Sequence, residues 1–155
     1  MPNRLLRSLV AGWVGGFLGN AFLGVVFSSP WIMAVLYHPT WQSPLFLELA
    51  PQRDVAQSVI GLIFLSGLHG ALFAQFEPSI PGHSWLGKGL FWGTTIWLTY
   101  WLFQEWFIYV TLLREPVLLA LFELAILLVG SLVEGVVIAK LASEQANRRT
   151  AVAHR

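Results

Sequence analysis

The sequence has no cysteine and very little charge, and each shortage excludes something different. Without cysteine there is no disulfide, no thiolate metal site, no Cys-ligated iron–sulfur cluster and no cysteine nucleophile. Only 11% of the 155 residues are Asp, Glu, Lys or Arg, against roughly 25% in an average soluble domain. A small soluble protein keeps a large share of its surface in water, and nine basic plus eight acidic residues cannot cover it. Of the four histidines only His69 lies in an apolar stretch, so a haem held by two histidines inside a bilayer lacks a second ligand. A net charge of +1 leaves no basic tract for nucleic acid. Paired aspartate motifs for prenyl diphosphates and the zinc-hydrolase pattern HExxH are absent as well.

Apolar surface is what the chain has in abundance. Hydrophobic residues make up 56% and aromatic residues 14%, with a mean hydropathy of +0.67. Four runs reach the roughly 20 apolar residues that a helix needs to cross a bilayer: 5–27, 55–76, 89–113 and 117–141, followed by a polar tail over 142–155. The reading is all-α: one polytopic membrane domain over 1–155, a four-helix bundle. The third and fourth runs are separated only by Arg114, Glu115 and Pro116, so they form an antiparallel hairpin, with Pro116 suited to the first turn of the next helix.

Placing the N-terminus inside puts Arg4, Arg7, Lys88, Lys140, Arg148, Arg149 and Arg155 on the cytoplasmic side and leaves Arg53 and Arg114 outside. That asymmetry predicts a multi-pass protein of the plasma (inner) membrane with both termini cytoplasmic. The first run is read as an uncleaved helix, because it ends in VFSSP without a small-x-small cleavage site. Residues 28–54, rich in Pro, Trp and Tyr, are too short in apolar content to span. They read as an external cap at the headgroup level or, alternatively, as a re-entrant lid over a cavity. The tail from Glu144 is expected to fray.

Helices in lipid associate by close backbone approach, so small residues four apart are informative. Helix one carries Ser8, Gly12, Gly16, Asn20 and Gly24 in that register, with Gly15 and Gly19 beside them. Helix two has Ser66, Gly70 and Ala74, and helix four Ser131, Gly135 and Ala139. Gly12, Gly16, Gly24, Gly70 and Gly135 are therefore the expected packing positions. Helix three differs: Trp97 and Trp101 stand near its middle among seven further aromatics, and either fill the core or offer a flat surface to a lipid, pigment, quinone or helix.

Charged residues at the bilayer centre cost about 2.5–3.5 kcal/mol each on insertion scales, so Glu105, Glu123, Glu134 and His69 need a reason. Counted at about 1.5 Å per residue, Glu105 and Glu123 lie roughly 12 and 9 Å below one end, a layer to which Asn20 also belongs. His69 and Glu134 each lie roughly 10 Å from the other end. Two carboxylates brought close cannot both stay ionised, so Glu105 and Glu123 would share a proton while Glu134 holds His69. The outcome is a polar ladder for proton or solute coupling, or a set of interhelical hydrogen bonds. A metal site stays open, although neither Glu-x-x-His nor His-x-x-x-His spacing occurs.

A glycine-rich first helix, a long external loop, HGALFA at 69–74 and IPGHSWLGKGLFWG at 80–93 together resemble small four-helix bacterial inner-membrane proteins. That resemblance implies an architecture and no activity. Small multidrug transporters place their essential carboxylate in helix one, which has none here. The expected function is a non-enzymatic accessory or assembly subunit, or a self-associating bundle, with the bilayer and a larger membrane complex or a second copy as partners and no cofactor required. Alternatives are a small proton-coupled transporter or channel using Glu105, Glu123, Glu134, His69 and Asn20, and a membrane enzyme acting on a lipid or quinone.

Overall fold

The computed structural model describes residues 2–49 and 54–153, with side chains from 5 to 49 and from 54 to 143. Among these residues the only regular structure is helical: α1 Pro2–Phe27, α2 Pro30–Leu36, α3 Pro44–Leu49, α4 Val55–Phe76, α5 Trp85–Ile96, α6 Leu102–Gln104 and α7 Val117–Ala153. The boundaries follow ordinary capping chemistry. Asp54 accepts from Gln57 N–H at 3.0 Å to start α4, and Ser84 accepts from Gly87 N–H at 3.1 Å to start α5. Prolines open α2 and α3, where their missing N–H is no loss. The segment expected to be an external loop thus holds two short helices. At the far end α7 continues to Ala153 instead of fraying from Glu144, since Ala, Glu, Gln and Arg are all good helix formers. Arg53 and Arg155, and the side chains of Arg4, Arg148 and Arg149, lie outside the described residues.

Among the described residues three helices are long and apolar enough to cross a membrane: Leu5–Phe27, Val55–Ser79 and Val117–Ser143. The regular helix expected over 89–113 is not what forms. After α5 the chain runs through a π-helical turn at Trp97–Trp101, then α6, then a second π-helical stretch at Glu105–Leu112. Leu102 N–H bonds to Trp97 O, and Leu113 N–H to Ile108 O at 2.8 Å, both five residues back. Backbone angles at the junctions stay right-handed helical, so the run from Trp85 to Leu112 is continuous. Its aromatic and β-branched residues crowd the preceding turn of an α-helix, and a wider turn relieves that crowding.

The glycines set the packing. Helix α1 lies against both α4 and α7, and α5 lies against α7. At the α1–α4 crossing, a Cβ on Gly12 would stand 2.9 Å from Gly70 N, closer than real Cβ atoms approach. Gly16 faces Ser66 in the same way, and Gly15 and Gly19 leave room for the α7 backbone at Glu134 and Gly130. The α5 run, expected to lack such a face, carries Gly89 and Gly93 against Gly135: a Cβ on Gly135 would lie 2.7 Å from Gly93 Cα. Gly24, expected to pack, has nothing within 4 Å of its would-be Cβ. It is exposed, on the last turns of α1 and off the packed stripe.

Two apolar clusters close the ends. At the end where α4 stops and α5 starts, Phe73, Ile80, Trp92, Ile96, Ile138 and Ala139 pack together. At the other, the cap end, Ile32 and Leu36 of α2 seat on Leu119, with Val26, Phe27, Phe122 and Ile126 around them. The outside is apolar: Val25, Phe64 and Leu118 are each at least 70% exposed, a surface suited to lipid chains rather than water. Replacing Gly70 by Val should destabilise the fold by roughly 1–3 kcal/mol or more, as overpacking does. The same change at Gly24 should stay within about 0.5 kcal/mol; thermal unfolding of the two variants in mild detergent measures the difference.

Candidate functional site

Helix α1 turns a stripe of glycines, Gly12, Gly15, Gly16 and Gly19, toward α4 and α7, and this brings two polar groups together. A Cβ on Gly19 would lie 3.2 Å from Glu134 Cβ, and one on Gly16 would lie 3.5 Å from Glu134 Oε1. With those positions bare, the Glu134 carboxylate crosses the α1 surface to α4. There His69 Nδ1 and Glu134 Oε1 are 2.8 Å apart. Both side chains are largely buried, 15% and 8% exposed, so the contact works in a low-dielectric setting where charge-assisted hydrogen bonds are strong.

A cavity of about 220 Å³ opens beside this pair. Its polar wall consists of Asn20 from α1, Ser58, Ser66 and His69 from α4, Tyr100 from the π turn and Glu134 from α7. Leu62, Leu65, Ile96 and Trp101 supply the apolar wall. One turn beyond His69 and Ile96, Phe73 and Trp92 meet edge to face with centroids 5.8 Å apart and close the gap between α4 and α5. Past that contact lies the cavity, with α4 on one side and Ile96, Tyr100 and Trp101 on the other.

The aromatic helix divides its labour. Trp97 donates its indole N–H to Leu124 O at 2.8 Å, clamping the π turn to α7. Trp101 instead lines the cavity beside Tyr100, the two rings 4.6 Å apart in an edge arrangement. Mid-helix tryptophan therefore serves as core in one case and as cavity wall in the other.

Glu105 and Glu123 form a second site nearer the cap end. Their side chains lie close enough to interact directly. Glu105 is 3% exposed, and its Oε2 has no partner. Glu115, which sequence reasoning left in the turn, joins this pair electrostatically and is itself buried. The turn folds it back: Arg114 adopts φ +58°, and Glu115 N–H bonds to Tyr109 O at 2.9 Å. Ser43 of the cap donates to Leu113 O at 2.6 Å and pins the cap to the turn. The signal that could have revealed Glu115 is the shortness of the hairpin, three residues between helices that each carry a deep carboxyl group.

Asn20 belongs with His69 and Glu134, not with Glu105 and Glu123 as the depth count had it. Equal depth sets the end of α1 level with the start of α7, but Gly19 faces Gly130 and Glu134, well into α7. Among the described residues no group of three or more acids or histidines could hold a metal ion. Comparison with known proteins brings no match to a family model, a curated protein or a solved structure. What the chain does is read from its own geometry.

Burial pushes the Glu115 carboxyl above its ordinary range, with Glu105 and Glu123 facing it. The sign follows. Below about pH 4, folded and unfolded chains are both protonated there and the group has no effect. As pH rises, the unfolded chain ionises first and stability falls until the raised folded value is passed. Glu115→Gln should therefore unfold at a higher temperature than the parent at neutral pH and at the same temperature near pH 4, as thermal melts across pH record.

Proposed function

We propose that the chain is a multi-pass membrane protein of four passes, its π-containing run included, that binds a small solute inside the membrane and couples its binding to protonation of His69 and Glu134. One observation carries this: a polar cavity of about 220 Å³ whose wall includes a buried His–Glu pair. An intramembrane ionisable group beside a cavity is the usual mark of a substrate or proton path. With His69 neutral the pair bears one negative charge, and protonation removes it, so anything entering the cavity senses that proton.

Glu105 and Glu123 take the other of the two roles expected for these carboxyl groups. They stand outside the cavity wall, and an interhelical hydrogen bond of about 0.6–2 kcal/mol accounts for them. The accessory-subunit reading has no feature of equal specificity. The groove along Leu9, Trp13, Ile60 and Phe64 between α1 and α4 is apolar, and acyl chains suffice to fill it. In proteoliposomes, Glu134→Gln should abolish proton-coupled solute flux while Glu105→Gln retains most of it. Equal flux in Glu134→Gln and the parent would remove the coupling role.

The distribution of basic residues supports cytoplasmic termini in a bacterial-type inner membrane. Because the chain has no cysteine, single replacements report sidedness directly. Thr40 and His83 are both exposed. In intact cells an impermeant maleimide should label Thr40→Cys and spare His83→Cys until the membrane is opened.

A further inference from the structure

We infer that the cavity takes a small organic cation about the size of one aromatic ring with a short aminoalkyl arm, and releases it in exchange for a proton. This rests on the solute-site reading above and adds the sign, size and stoichiometry of what binds.

Charge decides the sign. The titratable groups facing the cavity are His69 from α4, Tyr100 from the π turn and Glu134 from α7, while α1 contributes the amide of Asn20. No Lys or Arg stands among the described lining residues. A neutral His69 donating Nδ1–H to the Glu134 carboxylate leaves the site with one net negative charge. An anion would meet that charge in low dielectric with no basic group to offset it, whereas a monocation neutralises it.

The walls and the volume decide the rest. A cavity of roughly 150 Å³ accommodates benzene, and here about 220 Å³ leaves room for a ring and a few more heavy atoms. Tyr100 and Trp101 offer π surfaces to a cation, Leu62, Leu65 and Ile96 receive the apolar body, and Ser66 and Asn20 offer polar atoms to an ammonium. Proton and cation then compete. Protonated His69 with ionised Glu134 is already neutral, and adding a cation would leave a net positive charge in the same low-dielectric space. Entry of one cation therefore expels one proton from the pair to water, and protonation expels the cation.

The test uses the intact wild-type chain in lipid nanodiscs and three probes sharing one ring and similar length: 2-phenylethylammonium, 2-phenylethanol and 3-phenylpropanoate. Titration calorimetry in buffers of different ionisation enthalpy gives affinity and proton release, between about pH 5.5 and 8, where the ammonium stays charged. The ammonium should bind at least about tenfold more tightly than the alcohol, a difference expected of a paired buried charge, and the carboxylate should not bind. Each ammonium bound should release about one proton, its affinity falling by up to about tenfold per pH unit on acidification, as reciprocal linkage requires. Glu134→Gln should bring ammonium and alcohol to parity and abolish the proton release. Trp101→Leu, which leaves the His–Glu contact in place, should weaken the ammonium more than the alcohol.

Alcohol or carboxylate binding as tightly as the ammonium overturns the cation assignment and leaves the solute site standing. Ammonium binding without proton release or pH dependence overturns the exchange. Absence of binding by all three overturns the cation assignment; joined to unchanged flux in Glu134→Gln, it removes the solute site too.

Discussion

Everything at the centre of this protein depends on the side-chain-free face of α1. Gly12 and Gly16 let α4 approach until backbone meets backbone, and Gly15 and Gly19 do the same for α7. Close approach on both sides is what places His69, on α4, within 2.8 Å of Glu134, on α7. Since leaving lipid for another helix gains little hydrophobic energy, such van der Waals contact is the main cohesive force available. One set of residues thus holds the helices together and assembles the polar pair between them.

The opposite wall is built on the reverse principle. From Trp97 to Leu112 the chain is crowded with bulky side chains and adopts wide π turns, a geometry that recurs at functional sites. Gly89 and Gly93 draw the start of this run tightly onto α7, and Phe73 against Trp92 fastens it to α4. Beyond these contacts the cavity lies between α4 and the π run.

The parts legible in the sequence are those governed by spacing on a regular helix. The glycine stripe of α1, the hairpin at 113–116 and the shared depth of His69 and Glu134 all follow from counting residues at constant rise. Counting failed where rise or starting level changed. Asn20 falls in the other layer because Gly19 beside it faces Gly130 and Glu134, deeper in α7 than a common starting level for the two helices implies. Glu115 escapes helical periodicity because its position depends on a left-handed Arg114. The cavity depends on how α1, α4, the π run and α7 are set together, which no single helix's periodicity encodes.

Stability alone does not account for the central arrangement. Replacing a buried ion pair by apolar side chains is often neutral or stabilising, so a fold selected only for cohesion had an easier solution at positions 69 and 134. The space beside them is harder still to justify. A cavity of about 220 Å³ departs from the close packing of protein interiors. Gly61, Ser58 and Ser66 along its wall are small, and the wall carries polar atoms. Small lining residues, a polar wall and a buried His–Glu contact are three separate departures from an apolar, close-packed core. They coincide at one place, which favours the proposed reading of a site for a polar guest over cohesion alone.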